Sequence, residues 1–120
     1  MADPASTDVR VLLVDDQPQF RRAAAMLIQA TDGVTLAGEA GSGEEAVALA
    51  SDLRPDLVLM DVRLPGINGP DATRRILSEN PEIRVILVST YEAADLPDLD
   101  TCGAVGFLRK QDLDARALLA

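Results

Sequence analysis

The sequence LVLMD, residues Leu57–Asp61, gives the clearest indication of the fold of this 120-residue chain. Four consecutive apolar residues followed by a carboxylate are typical of a strand that is covered on both faces. A second run of the same kind, VILV at Val85–Val88, is followed by the hydroxyl residues Ser89 and Thr90. Strands buried on both faces occur in parallel sheets flanked by helices, so these runs predict an α/β architecture.

Further strand-length runs occur along the chain, and helical patterns separate them. The predicted strands are Val9–Val14, Val34–Ala40, Leu57–Met60, Ile83–Val88 and Val105–Leu108. The second run alternates more than the others, which favours a position near an edge of the sheet. This alternation of strands and helices predicts repeated βαβ units in one domain of residues 9–120, preceded by a flexible N-terminus of residues 1–8.

Prolines, a capping box and a glycine mark the ends of the predicted helices. The first begins at Pro18 and ends before Gly33, and the second begins with a capping box at Ser42 and ends before Pro55. The third begins at Pro70 and ends at Asn80. A fourth helix, within residues 92–102, is expected to be short or irregular because it contains Pro97 and three aspartates. A fifth, within residues 112–120, is expected to be short.

Composition excludes several classes of chemistry. The chain has no histidine, which excludes a Ser-His-Asp or Cys-His pair, a histidine zinc site and a phosphohistidine donor within the chain. The single cysteine, Cys102, excludes an internal disulfide and any paired-cysteine redox or metal motif. The chemistry therefore depends on carboxylates, hydroxyls, lysine and the backbone.

The charge of the chain restricts its partners. Asp and Glu number 20 against 11 Lys and Arg, which gives a formal net charge of -9. Such a surface repels nucleic-acid phosphates and anionic lipids, and no apolar run has the length of a transmembrane helix. We therefore expect a soluble, cytoplasmic domain that binds neither nucleic acid nor membrane directly.

Polar residues follow the predicted strands at their carboxyl ends, the edge where open α/β sheets bind ligands. They are Asp15, Asp16, Asp61, Ser89, Thr90 and Lys110. Crowded carboxylates repel one another unless a cation lies among them, and an all-oxygen ligand set favours Mg²⁺. A phosphoryl group would fit beside such a cation, a hydroxyl and a lysine, and an aspartate in that setting can attack phosphorus to form an acyl phosphate.

Four segments resemble, in this order, the signature regions of response-regulator receiver domains of bacterial two-component systems. They are Val11–Asp16, Asp61–Gly66, Val88–Thr90 and Gly103–Lys110. The resemblance covers almost the whole chain and is greatest for receivers attached to LuxR-type helix-turn-helix domains. It implies a flavodoxin-like, doubly wound sheet of five parallel strands in the order 2-1-3-4-5, with helices on both faces. It leaves open a C-terminal output domain beyond residue 120.

The resemblance implies roles for the acidic residues and the lysine. Asp61 would accept a phosphoryl group from a sensor histidine kinase. Mg²⁺ would be held by Asp15, Asp16, Asp61 and the backbone carbonyl of Arg63. Lys110 would contact the phosphoryl group, and the domain would catalyse only its own phosphotransfer and dephosphorylation rather than act as an enzyme.

The resemblance also implies a switch. Ser89 would be the hydroxyl drawn toward the phosphoryl group, and Phe107 would move as Ser89 is drawn in. If Ser89 capped the following helix instead, Thr90 would be its substitute. Tyr91 and Arg63 occupy positions that tune the lifetime of the acyl phosphate in the family. The switch would control homodimerisation or a DNA-binding output domain, and hence transcription.

Other interpretations of single residues stay open at this stage. Asp15 and Asp16 could cap the first helix, Ser89 could cap the helix that follows it, and Lys110 could be an ordinary solvated lysine. A phosphatase of the haloacid-dehalogenase type would need a second aspartate where the chain has Arg63. A flavodoxin-type binding module would need ring-stacking aromatics, of which the chain has few.

Two interpretations lie within the receiver family itself. The irregular segment of residues 92–102 favours a receiver that signals without phosphorylation, through constitutive contacts. A stand-alone regulator or phosphorelay intermediate is the other.

Overall fold

A five-stranded parallel sheet forms the centre of the molecule. In the computed structural model, which describes residues 8–90 and 102–119, the strand order is β2-β1-β3-β4-β5. The strands are β1 (Val9–Val14), β2 (Val34–Ala40), β3 (Leu57–Asp61), β4 (Arg84–Ser89) and β5 (Gly106–Arg109). The predicted order is therefore confirmed, and the alternating second run does lie at an edge of the sheet.

Helices cover both faces of this sheet. They are α1 (Pro18–Ala30), α2 (Gly43–Leu53), α3 (Gly69–Glu79) and α4 (Ala115–Leu119). Successive residues of a strand point to opposite faces, so β1 contributes Leu12 to the core beneath α2 and α3 and Leu13 to the core beneath α1 and α4. Both side chains are almost completely buried. This explains why the central strands are apolar at every position rather than at every second one.

The helix signals act as predicted. The Ser42 side chain accepts a hydrogen bond of 3.1 Å from the backbone N–H of Glu45, and the Glu45 carboxylate accepts one of 2.7 Å from the backbone N–H of Gly41. The first bond satisfies a backbone donor that the first turn of α2 leaves without a helical partner, and the second ties the residue before the N-cap to the helix. Pro18 and Pro70 both lie in the first turn of their helices, where no N–H is needed.

Several boundaries differ from the sequence prediction, most of them by one residue: β4, for example, is Arg84–Ser89 rather than Ile83–Val88. The last helix begins at Ala115 rather than near Asp112, because Asp114 caps it by accepting a 3.0 Å hydrogen bond from Ala117 N–H. Val105 precedes β5 and is 64% exposed, although its N–H donates to the Val85 carbonyl. The predictions for residues 1–7 and 92–101 lie outside the described residues. No helix in the described part of the chain has the length and apolarity needed to cross a membrane.

Candidate functional site

Two aspartates meet at the carboxyl edge of the sheet. Strand β1 ends at Val14, which pairs with Met60 of β3, so the next residues of the two strands, Asp15 and Asp61, are brought side by side. Asp15 is 1% exposed and Asp61 is 6% exposed. The sheet register therefore brings two carboxylates out of water at one point of the edge.

Lys110 lies against both carboxylates. It follows Arg109, the last residue of β5, and its Nζ lies 2.7 Å from Asp15 Oδ2 and 3.7 Å from Asp61 Oδ2. Its side chain is 10% exposed. The alternative that Lys110 is an ordinary solvated lysine is therefore wrong.

The Asp15 carboxylate is held at one oxygen and has acceptor capacity at the other. Its Oδ1 accepts a 2.7 Å hydrogen bond from the backbone N–H of Gln17. Its Oδ2 is buried and makes the close ion pair with Lys110, but no hydrogen bond of acceptable geometry reaches it from the described residues. The Lys110 ammonium offsets the charge of this oxygen, which still has a lone pair for a further ligand.

The ionised form of Asp61 is disfavoured by its surroundings. Burial raises the pKa of Asp61 from 3.8 to about 6, and the nearby Asp15 carboxylate also raises it. The Lys110 ammonium and a hydrogen bond from the backbone N–H of Arg63 lower the pKa, and Asp16 raises it slightly. Because like charges at short range oppose ionisation, a cation placed between the carboxylates would lower this pKa.

The donor set fits a divalent cation. One carboxylate oxygen from each of Asp15, Asp16 and Asp61 lies within 4.8 Å of the others, and Asp16 is exposed while the other two are buried. The set contains oxygen ligands only, and Asp15 Oδ2 has spare acceptor capacity. Mg²⁺ prefers such hard ligands and retains several waters, which the exposed side at Asp16 allows. The role of the Arg63 carbonyl as a further ligand stays a prediction.

The two residues predicted to form a switch, Ser89 and Phe107, lie on neighbouring strands. Ser89 ends β4 beside Arg109 of β5, and Leu87 pairs with Phe107. Because residues two apart in a strand share a face, Ser89 and Phe107 lie on the same face of the sheet. Ser89 is 1% exposed, whereas Phe107 is partly buried against the core beneath α2 and α3.

Thr90 and Tyr91 follow Ser89 at the end of the described segment. Thr90 is exposed, so it does not share the burial of Ser89. Tyr91 lies outside the described residues, as does the helix that Ser89 could cap. The roles of Ser89, Thr90 and Tyr91 therefore stay predictions.

Two glycines shape the loop that follows Asp61. Gly66 has a φ of +74°, a left-handed conformation that favours glycine. A Cβ on Gly69 would overlap the carbonyl oxygen of Asp61 and come within 2.9 Å of Val62 Cα. The start of α3 is therefore packed directly beneath the strand end that carries Asp61.

Sequence reasoning missed two residues of the site. Gln17 Oε1 lies 3.0 Å from Lys110 Nζ, and the Phe20 ring centroid lies 4.5 Å from the same nitrogen. Their spacing could have indicated them. They lie three residues apart on either side of Pro18, at the start of a helix that follows two aspartates. The interpretation of Asp15 as a helix cap is wrong, because Gln17 occupies the N-cap position of α1.

Comparisons with known proteins agree with this architecture. Residues 11–120 match the family model of the response regulator receiver domain. The response regulator GacA of Pseudomonas viridiflava is 42% identical over 103 residues, which are 85% of this chain and 48% of that protein. The nitrate/nitrite response regulator protein NarL of Escherichia coli K12 is 35% identical over 111 residues, 91% of this chain and 50% of that protein. The chain thus spans about half the length of these curated relatives.

Solved structures share the fold over nearly the whole chain. The signal receiver domain of NarL from Mycobacterium tuberculosis superposes with a TM-score of 0.86 at 33% identity, covering 93% of this chain and 94% of that one. A LuxR-family response regulator from Aurantimonas sp. SI85-9A1 gives 0.83 at 32% identity, covering 93% and 80%. The family-model match over residues 11–120 and this shared fold show that the chain belongs to the response regulator receiver domains, the signalling domains of two-component systems.

Proposed function

We propose that the domain is a phosphorylation-controlled switch in which Asp61 accepts a phosphoryl group from the phosphohistidine of a sensor kinase. The observation that carries the proposal is the buried Asp61 carboxylate, which shares the sheet edge with Asp15 and lies 3.7 Å from the Lys110 ammonium. The absence of histidine from the chain is consistent with a partner that brings it.

The transfer is a displacement at phosphorus. One Asp61 carboxylate oxygen attacks the phosphorus, and the bond from phosphorus to the kinase imidazole nitrogen breaks. An acyl phosphate forms, while the electron pair of the broken bond stays on the imidazole. The protein contributes mainly position and charge in such a reaction.

The neighbouring residues supply that charge. Lys110 lies close enough to Asp61 to offset the charge of the phosphoryl oxygens once the group is transferred. Asp15, Asp16, Asp61 and the Arg63 carbonyl would hold Mg²⁺, which stabilises the negative charge on the transferring group. Ser89, buried at the end of the adjacent strand, would donate a hydrogen bond to a phosphoryl oxygen.

The output is a change at the surface near Phe107. Movement of Ser89 toward the acyl phosphate would change the space beside Phe107, which lies on the same face of the sheet. We propose that this change controls homodimerisation or an output DNA-binding domain. The proposal draws on relatives described as response regulators and transcriptional regulatory proteins, about twice as long as this chain.

Intact-mass measurement tests the proposal. Incubation with Mg²⁺ and acetyl phosphate should add the mass of one phosphoryl group to the domain. Asp61→Asn should add none, whereas Asp56→Asn, at the other end of β3, should be labelled like the wild type. An unlabelled wild type, or full labelling of Asp61→Asn, would contradict the proposal. We expect no sustained turnover of p-nitrophenyl phosphate, because Arg63 stands where a phosphatase would need its acid.

A further inference from the structure

Two side chains hold Lys110 on the α1 side of the site. Lys110 Nζ lies 3.0 Å from Gln17 Oε1 and 4.5 Å from the centroid of the Phe20 ring, as well as 2.7 Å from Asp15 Oδ2. Its distance to Asp61 Oδ2 is longer, 3.7 Å. An ammonium group is attracted both to an amide oxygen and to the face of an aromatic ring. These contacts therefore draw Lys110 toward Asp15 and away from Asp61.

The start of α1 fixes this arrangement. Pro18 restricts the preceding residue, Gln17, to an extended backbone, observed at φ −93° and ψ 110°. In that conformation the Gln17 N–H donates to Asp15 Oδ1. Phe20 follows three residues later on the same side of the helix and packs against the core beneath α1. The helix start thus positions Asp15, the amide and the ring as one unit around the ammonium.

We propose that Gln17 and Phe20 form a lysine clamp, a pair of positioning residues that holds Lys110 on Asp15 until a divalent cation takes its place there. The proposal rests on the proposed function, because it concerns the same cation site. Asp15 Oδ2, the oxygen that Lys110 contacts, is also one that a cation would use. The lysine clamp therefore lowers the affinity of this site for the cation. It also keeps the Lys110 ammonium close by, so that it can move to Asp61 when the cation displaces it from Asp15.

Removing the lysine clamp should strengthen cation binding. Loss of the Gln17 hydrogen bond in Gln17→Ala should lower the Kd for Mg²⁺ by about two- to tenfold. Loss of the ring face in Phe20→Leu, which keeps an apolar side chain, should lower it by about two- to fivefold. Gln19→Ala, which alters an exposed glutamine of the same helix turn, is the matched control and should leave the Kd unchanged.

The test is a Mg²⁺ titration of the unphosphorylated domain followed by amide chemical shifts. The titration is repeated in a Lys110→Met background, where the Gln17→Ala and Phe20→Leu effects should disappear, because the clamp has no ammonium to hold. A general effect on folding would persist in that background. Thermal unfolding of each variant reports its stability. If Phe20→Leu does not fold, the test depends on Gln17→Ala alone, because Gln17 is exposed and its replacement should not affect folding.

Four outcomes would overturn the lysine clamp. Weaker Mg²⁺ binding by Gln17→Ala would show that the amide helps to hold the cation rather than the lysine. An effect of the same size in the Lys110→Met background would show that Lys110 is not involved. An unchanged Kd with normal phosphoryl labelling would contradict the clamp alone, whereas a wild type that binds no Mg²⁺ would contradict both the clamp and the proposed function.

Discussion

Strand β3 has an aspartate at each end, and the two have opposite surroundings. Asp56, just before the strand, is exposed, and its carboxylate accepts a 2.9 Å hydrogen bond from the backbone N–H of Arg10. Asp61, the last residue of the strand, is buried beside Asp15, and burial raises its pKa to about 6. The same residue type is therefore an exposed hydrogen-bond acceptor just before β3 and a buried carboxylate at the end of β3.

The difference extends to the whole of the two edges. At the amino edge, the Arg10 guanidinium donates to the carbonyls of Leu53 and Arg54 at the end of α2, at 2.8 Å and 3.0 Å. Cations at a helix C-terminus satisfy carbonyls that the helix leaves without partners. At the carboxyl edge, buried carboxylates lie around one ammonium group. Burial and an excess of one charge, rather than the presence of charged residues, distinguish the site.

The largest difference in stability between the two edges should appear when the buried ammonium group of Lys110 is removed. Lys110→Met should lower the free energy of unfolding by about 3 kcal/mol, because it leaves buried carboxylates without their ion pair. Urea denaturation of the metal-free protein at neutral pH measures this. Arg109→Met is the control, because the ion pair of Arg109 with Asp112 is exposed and should be worth less than about 1 kcal/mol. Equal losses in the two variants would show that burial of the lysine does not matter.

The two edges should also differ in the stability cost of an added methyl group, by nearly as much as in the cost of losing a cation. Gly69→Ala should cost about 2 to 3 kcal/mol, because its Cβ overlaps the Asp61 carbonyl and the neighbouring backbone cannot move freely. Gly106→Ala, at the amino end of β5, has open space within 4 Å and should change stability by less than about 0.5 kcal/mol. Chemical denaturation compares the two, and a tolerated Gly69→Ala would mean that the strand end is less rigid than its contacts indicate.

The pH dependence of stability should also distinguish Asp61 from Asp56. Because the folded pKa of Asp61 is about 6 and lies above the unfolded value, the folded state binds more protons between about pH 4 and pH 6. Asp61 therefore lowers the free energy of unfolding by about 3 kcal/mol as the pH rises through this window. This loss should be absent from Asp61→Asn, present in Asp56→Asn, and reduced by Mg²⁺. Parallel pH profiles of wild type and Asp61→Asn would contradict it.

The smallest effects should come from the two ends of α2, and they should have opposite signs. Ser42→Ala should cost about 1 kcal/mol, because the cap on the Glu45 N–H is lost. Arg54→Gly should stabilise by roughly 0.5 kcal/mol, because Arg54 ends the helix with a φ of 48°, which glycine adopts with less strain. Thermal unfolding resolves both, and the phosphoryl labelling of both variants should equal that of the wild type.

Much of the architecture could be predicted from local patterns. The runs at Leu57–Met60 and Val85–Val88 are apolar because both faces of these strands are covered. Ser42 indicates the start of α2 because its cap needs only neighbours in sequence. The start of the last helix was misplaced, because Asp112 and Asp114 are equally plausible caps in sequence. Asp114 is the one whose side chain reaches a helical N–H.

The site was only partly predictable. Asp15, Asp61 and Lys110 were identified because each follows a strand, and parallel strands bring their carboxyl ends to one edge. Gln17 and Phe20 were not, because neither follows a strand and neither residue type signals a contact with a lysine so far away in sequence. Their contacts with Lys110 form only when the start of α1 and the end of β5 are packed side by side.

Local sequence patterns indicate which residues form strands and helices, because hydrophobic periodicity, proline and capping residues act over a few neighbouring positions. They also indicate the chemistry available at the carboxyl edge, since the strand-end residues are fixed by those elements. The packing of the sheet and its helices is needed to show which carboxylate is buried, which oxygen Lys110 contacts and which side chains lie against Lys110. Burial and ion pairing depend on distances between residues far apart in the chain, and those distances exist only when the sheet and its helices are packed together.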